Sequence, residues 1–155
     1  MSLEQGIQFT EEDLYHACCS DNSSVIELLL DSGVKPTEKA FHALTMSPNP
    51  QKSKSLVSML EHGLTPTPEL MNTCCVRDCL DTAKFLVSEG LQPTRKDFKL
   101  SSTIGAAHVV RWMIEEQGAK PSVSLYKDVC SMNFSGKNNK VLNILIEPKY
   151  YWRLI

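Results

Sequence analysis

A glycine-proline motif that returns at nearly constant spacing constrains this chain more than any other feature. Gly-x-x-Pro-Thr runs from Gly33 to Thr37, from Gly63 to Thr67 and from Gly90 to Thr94, and it softens to a serine ending between Gly118 and Ser122. An earlier copy, Gly6-Ile-Gln-Phe9-Thr10, has phenylalanine in the proline slot. The glycines are 27, 30, 27 and 28 residues apart. Four returns at that spacing, with other columns aligning too, mark an internal repeat. The copies cover approximately residues 6–32, 33–62, 63–89, 90–117 and 118–147, followed by a tail at 148–155.

Each copy predicts two helices. The Thr or Ser that closes the motif suits an N-cap, because its hydroxyl accepts a free amide of the first turn. Asp13 and Asp97, three residues past Thr10 and Thr94, suit the positive end of the helix dipole, and Pro68 suits a first helical position. Four residues past the cap stands a large apolar column, Leu14, Phe41, Met71, Phe98 and Tyr126, expected to anchor the first helix in the core. The second helix reads from blocks such as Val25-Ile-Glu-Leu-Leu-Leu30 and Val109-Val-Arg-Trp-Met-Ile114. Their apolar spacing is helical with a narrow polar stripe, so these helices are expected to be mostly buried. The glycine after each block fits a left-handed C-cap, and the proline beyond it stops the helix.

The second-helix blocks begin 19 residues after the glycine in copies one, three and four and 23 residues after it in copies two and five. The extra residues fall between the helices, in Met46 to Gln51 and Asn133 to Asn138, both of loop composition. Hairpins of this kind cannot each bury an apolar face alone, so neighbours must stack. The expected architecture is all-α, an α-solenoid of five helix-turn-helix repeats in one domain over residues 1–155.

Two families resemble this pattern in part. Leu14-Tyr-His-Ala-Cys18 resembles the Leu-His-Leu-Ala-Ala stretch of ankyrin repeats, and Val25-Ile-Glu-Leu-Leu-Leu-Asp-Ser-Gly33 resembles their Val-Val-x-Leu-Leu-Leu-x-x-Gly. The Thr-Pro-Leu-His motif is not intact and the unit is shorter than the ankyrin length of about 33 residues, mostly between hairpins. The resemblance implies a protein-binding module without projecting loops. Gly-x-x-Pro-Thr with an aromatic four residues on, as at Phe41, Phe98 and Tyr126, is similar to pentatricopeptide repeats, which implies RNA binding. Against that alternative, the chain has 16 Lys+Arg and 18 Asp+Glu, a formal net charge of -2, where RNA binders usually carry a basic footprint.

The same balance gives no global field for nucleic acid or an anionic membrane. The apolar runs are shorter than the roughly 20 residues a membrane span needs, and Met1 to Gln5 does not read as a signal region. A cytoplasmic or nuclear chain is expected, either a monomer or part of a longer protein. In that setting the six cysteines are expected to be reduced, and the sequons at Asn22 and Asn133 carry no weight. Cys18, Cys75 and Cys130 share a repeat column with Thr45 and Ser102, which asks for small residues at a close helix contact. No metal site is expected, since Cys75-x3-Cys79 would need partners from elsewhere and His16, His42, His62 and His108 lack ligand spacing. No cofactor or catalytic site is expected either, because phosphate loops, dinucleotide fingerprints, nucleophile elbows and zincin helices are missing.

The expected function is therefore binding of a protein partner, through the exposed side of the first helices. The column after the core anchor reads Tyr15, His42, Asn72, Lys99 and Lys127, and with Arg95 and Lys96 it makes a basic C-terminal half suited to an acidic or polar segment. Trp112 falls in a core column. The tail from Lys149 to Ile155, with three aromatics, is expected to cap the last hairpin, the alternatives being the start of a further repeat in a longer protein or an anchor for a partner.

Overall fold

The computed structural model describes residues 6–133, 136 and 138–151, Tyr151 by its backbone alone. The described residues form helices joined by turns and contain no strand. The chain divides into two compact units, Met1–Pro66 and Thr67–Ile155. The first holds α1 (Glu11–Cys19), α2 (Ser23–Asp31), α3 (Glu38–Thr45) and α4 (Lys52–Glu61). Here α1 packs on α2 and α3, while α4 packs on α2 and α3. The second holds α5 (Pro68–Val76), α6 (Leu80–Ser88), α7 (Arg95–Ile104), α8 (Ala107–Glu115), α9 (Val123–Ser131), α10 (Asn139–Leu145) and the short α11 (Pro148–Tyr151). Its pattern is the same: α5, α7 and α9 pack in series, as do α6, α8 and α10, and each hairpin closes on itself.

The cap residues start the helices as the motif requires. Thr10, Thr37, Thr67, Thr94 and Ser122 all sit in extended backbone, and each side chain accepts the amide three residues on. At Thr10 and Thr94 the aspartate returns the bond, its Oδ2 accepting the cap amide at 2.7 Å in both, which completes a capping box. The stops also follow the motif. Gly33 has φ +95°, and its amide and that of Val34 bond back to Leu30 and Leu29. That closes the helix with buried Val34 packed over its last turn.

Three first helices, α1, α5 and α7, end in a second left-handed turn; Gly105 makes it after α7, while aspartates stand where glycine is usual after α1 and α5, Asp21 at φ 54° and Asp78 at φ 58°. Asp78 gains from this position. Its Oδ1 accepts the amide of Val109 at 2.9 Å and its Oδ2 meets His108 Nδ1 at 2.6 Å. The residue before α8 is Ala106, which has no side-chain acceptor, so Asp78 of the preceding hairpin caps that helix. Asn138 makes a comparable link, donating from Nδ2 to the Thr103 carbonyl at 2.8 Å.

Burial corrects three expectations. The anchor column is buried at Leu14, Phe41, Met71 and Phe98, but Tyr126 is half-buried, and α9 buries Leu125 and Val129 instead. In the small-residue column Cys18, Thr45, Cys75 and Ser102 are buried, whereas Cys130 is exposed. On α2, Val25 and Leu28 are exposed, Leu28 by 57%. The reason is common to all three: α9 packs chiefly on α7 and α10, and α2 chiefly on α1 and α4, so among the described residues one side of each lacks a neighbouring helix. Trp112, by contrast, is a core residue as expected.

Candidate partner-binding surface

The structure gathers part of the expected site. Arg95 and Lys96 open α7, Lys99 lies one turn on, and these three line a cavity of about 470 Å³ between α7 and α9. Its apolar floor is Phe98 and Leu125, both buried. A second cavity of about 370 Å³ adjoins it, sharing Arg95, Phe98 and Lys120 and reaching Met113. Lys120 completes the cluster and was not expected. It lies in the turn before Pro121, and only the packing of α9 on α7 carries that turn beside Arg95, a relation no local pattern encodes.

Of the four cations, Lys99 bonds Asp128 at 2.9 Å. Arg95, Lys96 and Lys120 have no ion pair among the described residues. Asp97 lies close in sequence but is buried and occupied, with Oδ2 in the capping box and Oδ1 accepting from Asn72 Nδ2 at 2.7 Å. The cluster is therefore a concentration of uncommitted positive charge over an apolar floor. The cavity of about 440 Å³ on the second helices differs, because most of its charges are paired, Lys140 excepted among the described residues. There Lys84 pairs with Glu116 at 3.2 Å, Arg111 with Glu147 at 2.5 Å, and Glu115 with Lys149 at 2.7 Å.

The remaining expected residues are placed differently. Tyr15 is half-buried on α1, with Lys39 Nζ 4.0 Å from its ring centroid, and it belongs to the first unit. His42, also in the first unit, is half-buried and edge-on to Phe41. Asn72 is half-buried and holds Asp97. Lys127 is exposed on α9 but does not line the basic cavity.

The thiols offer little chemistry. Burial pushes the Cys18 and Cys75 thiols up to about 12 and raises Cys74 further, so none is a thiolate at neutral pH. Among the described residues no three His, Cys, Asp or Glu side chains gather as a metal site would need, and no helix is long and apolar enough to cross a membrane. Of the tail, α11 returns to α8: Tyr150 is buried, its hydroxyl donating to Glu115 at 2.5 Å, and Lys149 joins the same carboxylate. These two bonds hold Glu115 down at about 2. Residues 152–155 of the expected cap lie outside the described residues. No protein-family model, curated protein or solved structure matches the chain.

Proposed function

We propose that this chain is an α-solenoid of ankyrin-like hairpins that acts as a protein-interaction module in the cytoplasm or nucleus. Its partner contributes an acidic segment to the α7–α9 cavity. The observation that carries this reading is the set of three cations with no ion pair among the described residues, Arg95, Lys96 and Lys120, around the Phe98–Leu125 floor. Carboxylates of a partner would supply the missing counter-charge, and one apolar side chain would fill the floor, the division between polar rim and apolar centre that protein interfaces use. The repeat supports the reading from a second direction. A stacked series keeps its backbone fixed by caps and glycines while its surface residues vary, and of the expected column Lys99 and Lys127 are exposed.

The test is affinity capture from lysate by the wild-type chain and by Arg95→Glu/Lys120→Glu, each with and without ribonuclease. Proteins that survive ribonuclease and disappear with the double reversal support the module and its surface. Capture indifferent to the reversal removes the α7–α9 cavity from the reading. Recovery of RNA in place of protein overturns the module in favour of a nucleic-acid binder.

A further inference from the structure

The first helices bury their residues in a directional way. Counted from each N-cap, the third position is Asp13, Ala40, Leu70, Asp97 and Leu125, and all of these are buried except Asp13 of α1. The fourth and eighth positions are buried in α1, α3, α5 and α7, from Leu14 and Cys18 to Phe98 and Ser102, but not in α9, where they are Tyr126 and Cys130. Within each unit, the third position of α3, α7 and α9 belongs to the side turned to the preceding hairpin, and the fourth and eighth positions of α1, α5 and α7 to the side turned to the following one.

Polar bonds give the same direction. Asn72, at the fifth position of α5, donates forward to Asp97, at the third position of α7. Lys99, at the fifth position of α7, reaches forward to Asp128 of α9. In the other unit Tyr15, at the fifth position of α1, receives Lys39 of α3 over its ring. In the second helices the corresponding column is mixed: Leu30 of α2 and Ile114 of α8 are buried, Val87 of α6 is half-buried, and Glu61 of α4 and Ile146 after α10 are exposed. On the opposite side, Leu56 and Met59, Val109 and Trp112, and Val141 and Ile144 are buried, while their counterparts on α2, Val25 and Leu28, are exposed.

Among the described residues, the backward side of the first hairpin therefore leaves Asp13, Val25 and Leu28 exposed, and the forward side of the last leaves Lys127 and Cys130 exposed and Tyr126 half-buried. Each is the kind of surface that this chain's own hairpins cover elsewhere. We propose that copies of the chain join head to tail, the forward side of α9 and α10 in one copy packing on the backward side of α1 and α2 in the next. The occupant is a second copy because the polar register matches. Asp13 repeats the Asp97 geometry, with its Oδ2 in a capping box, and its Oδ1 has no partner among the described residues. Lys127 stands at the column of Asn72 and has no ion pair among the described residues. In the joined copies Lys127 donates to Asp13 Oδ1 as Asn72 does to Asp97. Charge favours the same orientation: residues 1–66 carry 9 Asp+Glu against 4 Lys+Arg, and residues 67–155 carry 12 Lys+Arg against 9 Asp+Glu. Because the two surfaces differ, the contact is heterologous and does not stop at two copies. It is independent of the α7–α9 cavity.

Sedimentation velocity on the full chain tests this. The expected result is a mass that rises above the 17.4 kDa of one copy with concentration, and an association that weakens with salt. Lys127→Glu and Leu28→Glu, both at exposed positions, each lower the association constant at least tenfold with unchanged circular dichroism. Lys127→Asn, which copies the Asn72–Asp97 pair, retains association. An equimolar mixture of Lys127→Glu and Leu28→Glu forms dimers and goes no further, since each supplies one intact side. The proposal is overturned if the wild type stays at one copy throughout, if either reversal associates as the wild type does, or if the mixture stays monomeric.

Discussion

Asp97 gives the sharpest test of how neighbouring hairpins are joined. It is a carboxylate only 4% exposed that accepts three bonds, two from Thr94 and one from Asn72, all at 2.7 Å. Asp97→Ala removes the return half of the capping box, a loss of about 1 kcal/mol. It also strands the half-buried Asn72 amide, which adds about 1–3 kcal/mol. The expected sum is about 3 kcal/mol, which for a chain of this size lowers the melting temperature by roughly 6–12 °C. Thermal and urea unfolding measure it, and a double-mutant cycle with Asn72→Ala isolates the bond between hairpins. The cycle is expected to return a coupling of about 1 kcal/mol or more, because both residues act through one contact. Asp13→Ala is the internal comparison: it breaks the same capping box on an exposed helix start with no third bond, and it is expected to cost less than Asp97→Ala. A loss under about 1 kcal/mol for Asp97→Ala, or additivity with Asn72→Ala, refutes the claim that Asp97 ties α5 to α7.

Other outcomes follow from the same contacts. Asp78→Ala takes away the cap of α8 and places alanine at φ 58°, for an expected loss of about 2 kcal/mol, whereas Asp78→Asn keeps an acceptor and tolerates the turn; equal losses in urea unfolding would count against the borrowed cap. With Glu115 held at about 2 by Lys149 and Tyr150, below its ordinary 4.5, its contribution is present above pH 4.5 and is lost as pH falls from there toward 2. Protection of the Lys149–Tyr151 amides against hydrogen exchange, taken relative to the intrinsic rate at each pH, should therefore fall over that window, and Glu115→Gln should flatten the response. In dilute native protein a thiol reagent is expected to modify Cys19 and Cys130 quickly and Cys18, Cys74, Cys75 and Cys79 only on unfolding; fast modification of any buried thiol contradicts the packing. Gly63→Ala meets no atom within 4 Å but must hold φ +103°, so it is expected to cost about 1–2 kcal/mol of backbone strain, read from the urea midpoint.

The sequence revealed most where a few consecutive residues decide the geometry. A threonine hydroxyl capping the amide three residues on, or a glycine in a left-handed turn, is settled within one turn of helix, so the caps at Thr10, Thr37, Thr67, Thr94 and Ser122 and the stops at Gly33, Gly63, Gly90 and Gly118 were all readable. The basic side was half readable. Arg95, Lys96 and Lys99 share a helix face by spacing, but Lys120 joins them only through tertiary packing.

What spacing cannot express is whether a column made for covering is covered. Tyr126 and Cys130 occupy the same positions as Phe98 and Ser102, with the same cap before them, yet Phe98 and Ser102 are buried and Tyr126 and Cys130 are not. The difference lies in how many helices flank each one, a property of its place in the series. Hydrophobic gain comes from area removed from water, so a residue type that stabilises an inner helix leaves apolar area in solvent on a terminal one. Natural repeat proteins usually answer this with polar outer faces on their terminal repeats. Here α2 keeps Val25 and Leu28 exposed, and α9 keeps Cys130 exposed and Tyr126 half-buried, with the residue types that other hairpins bury in the same columns.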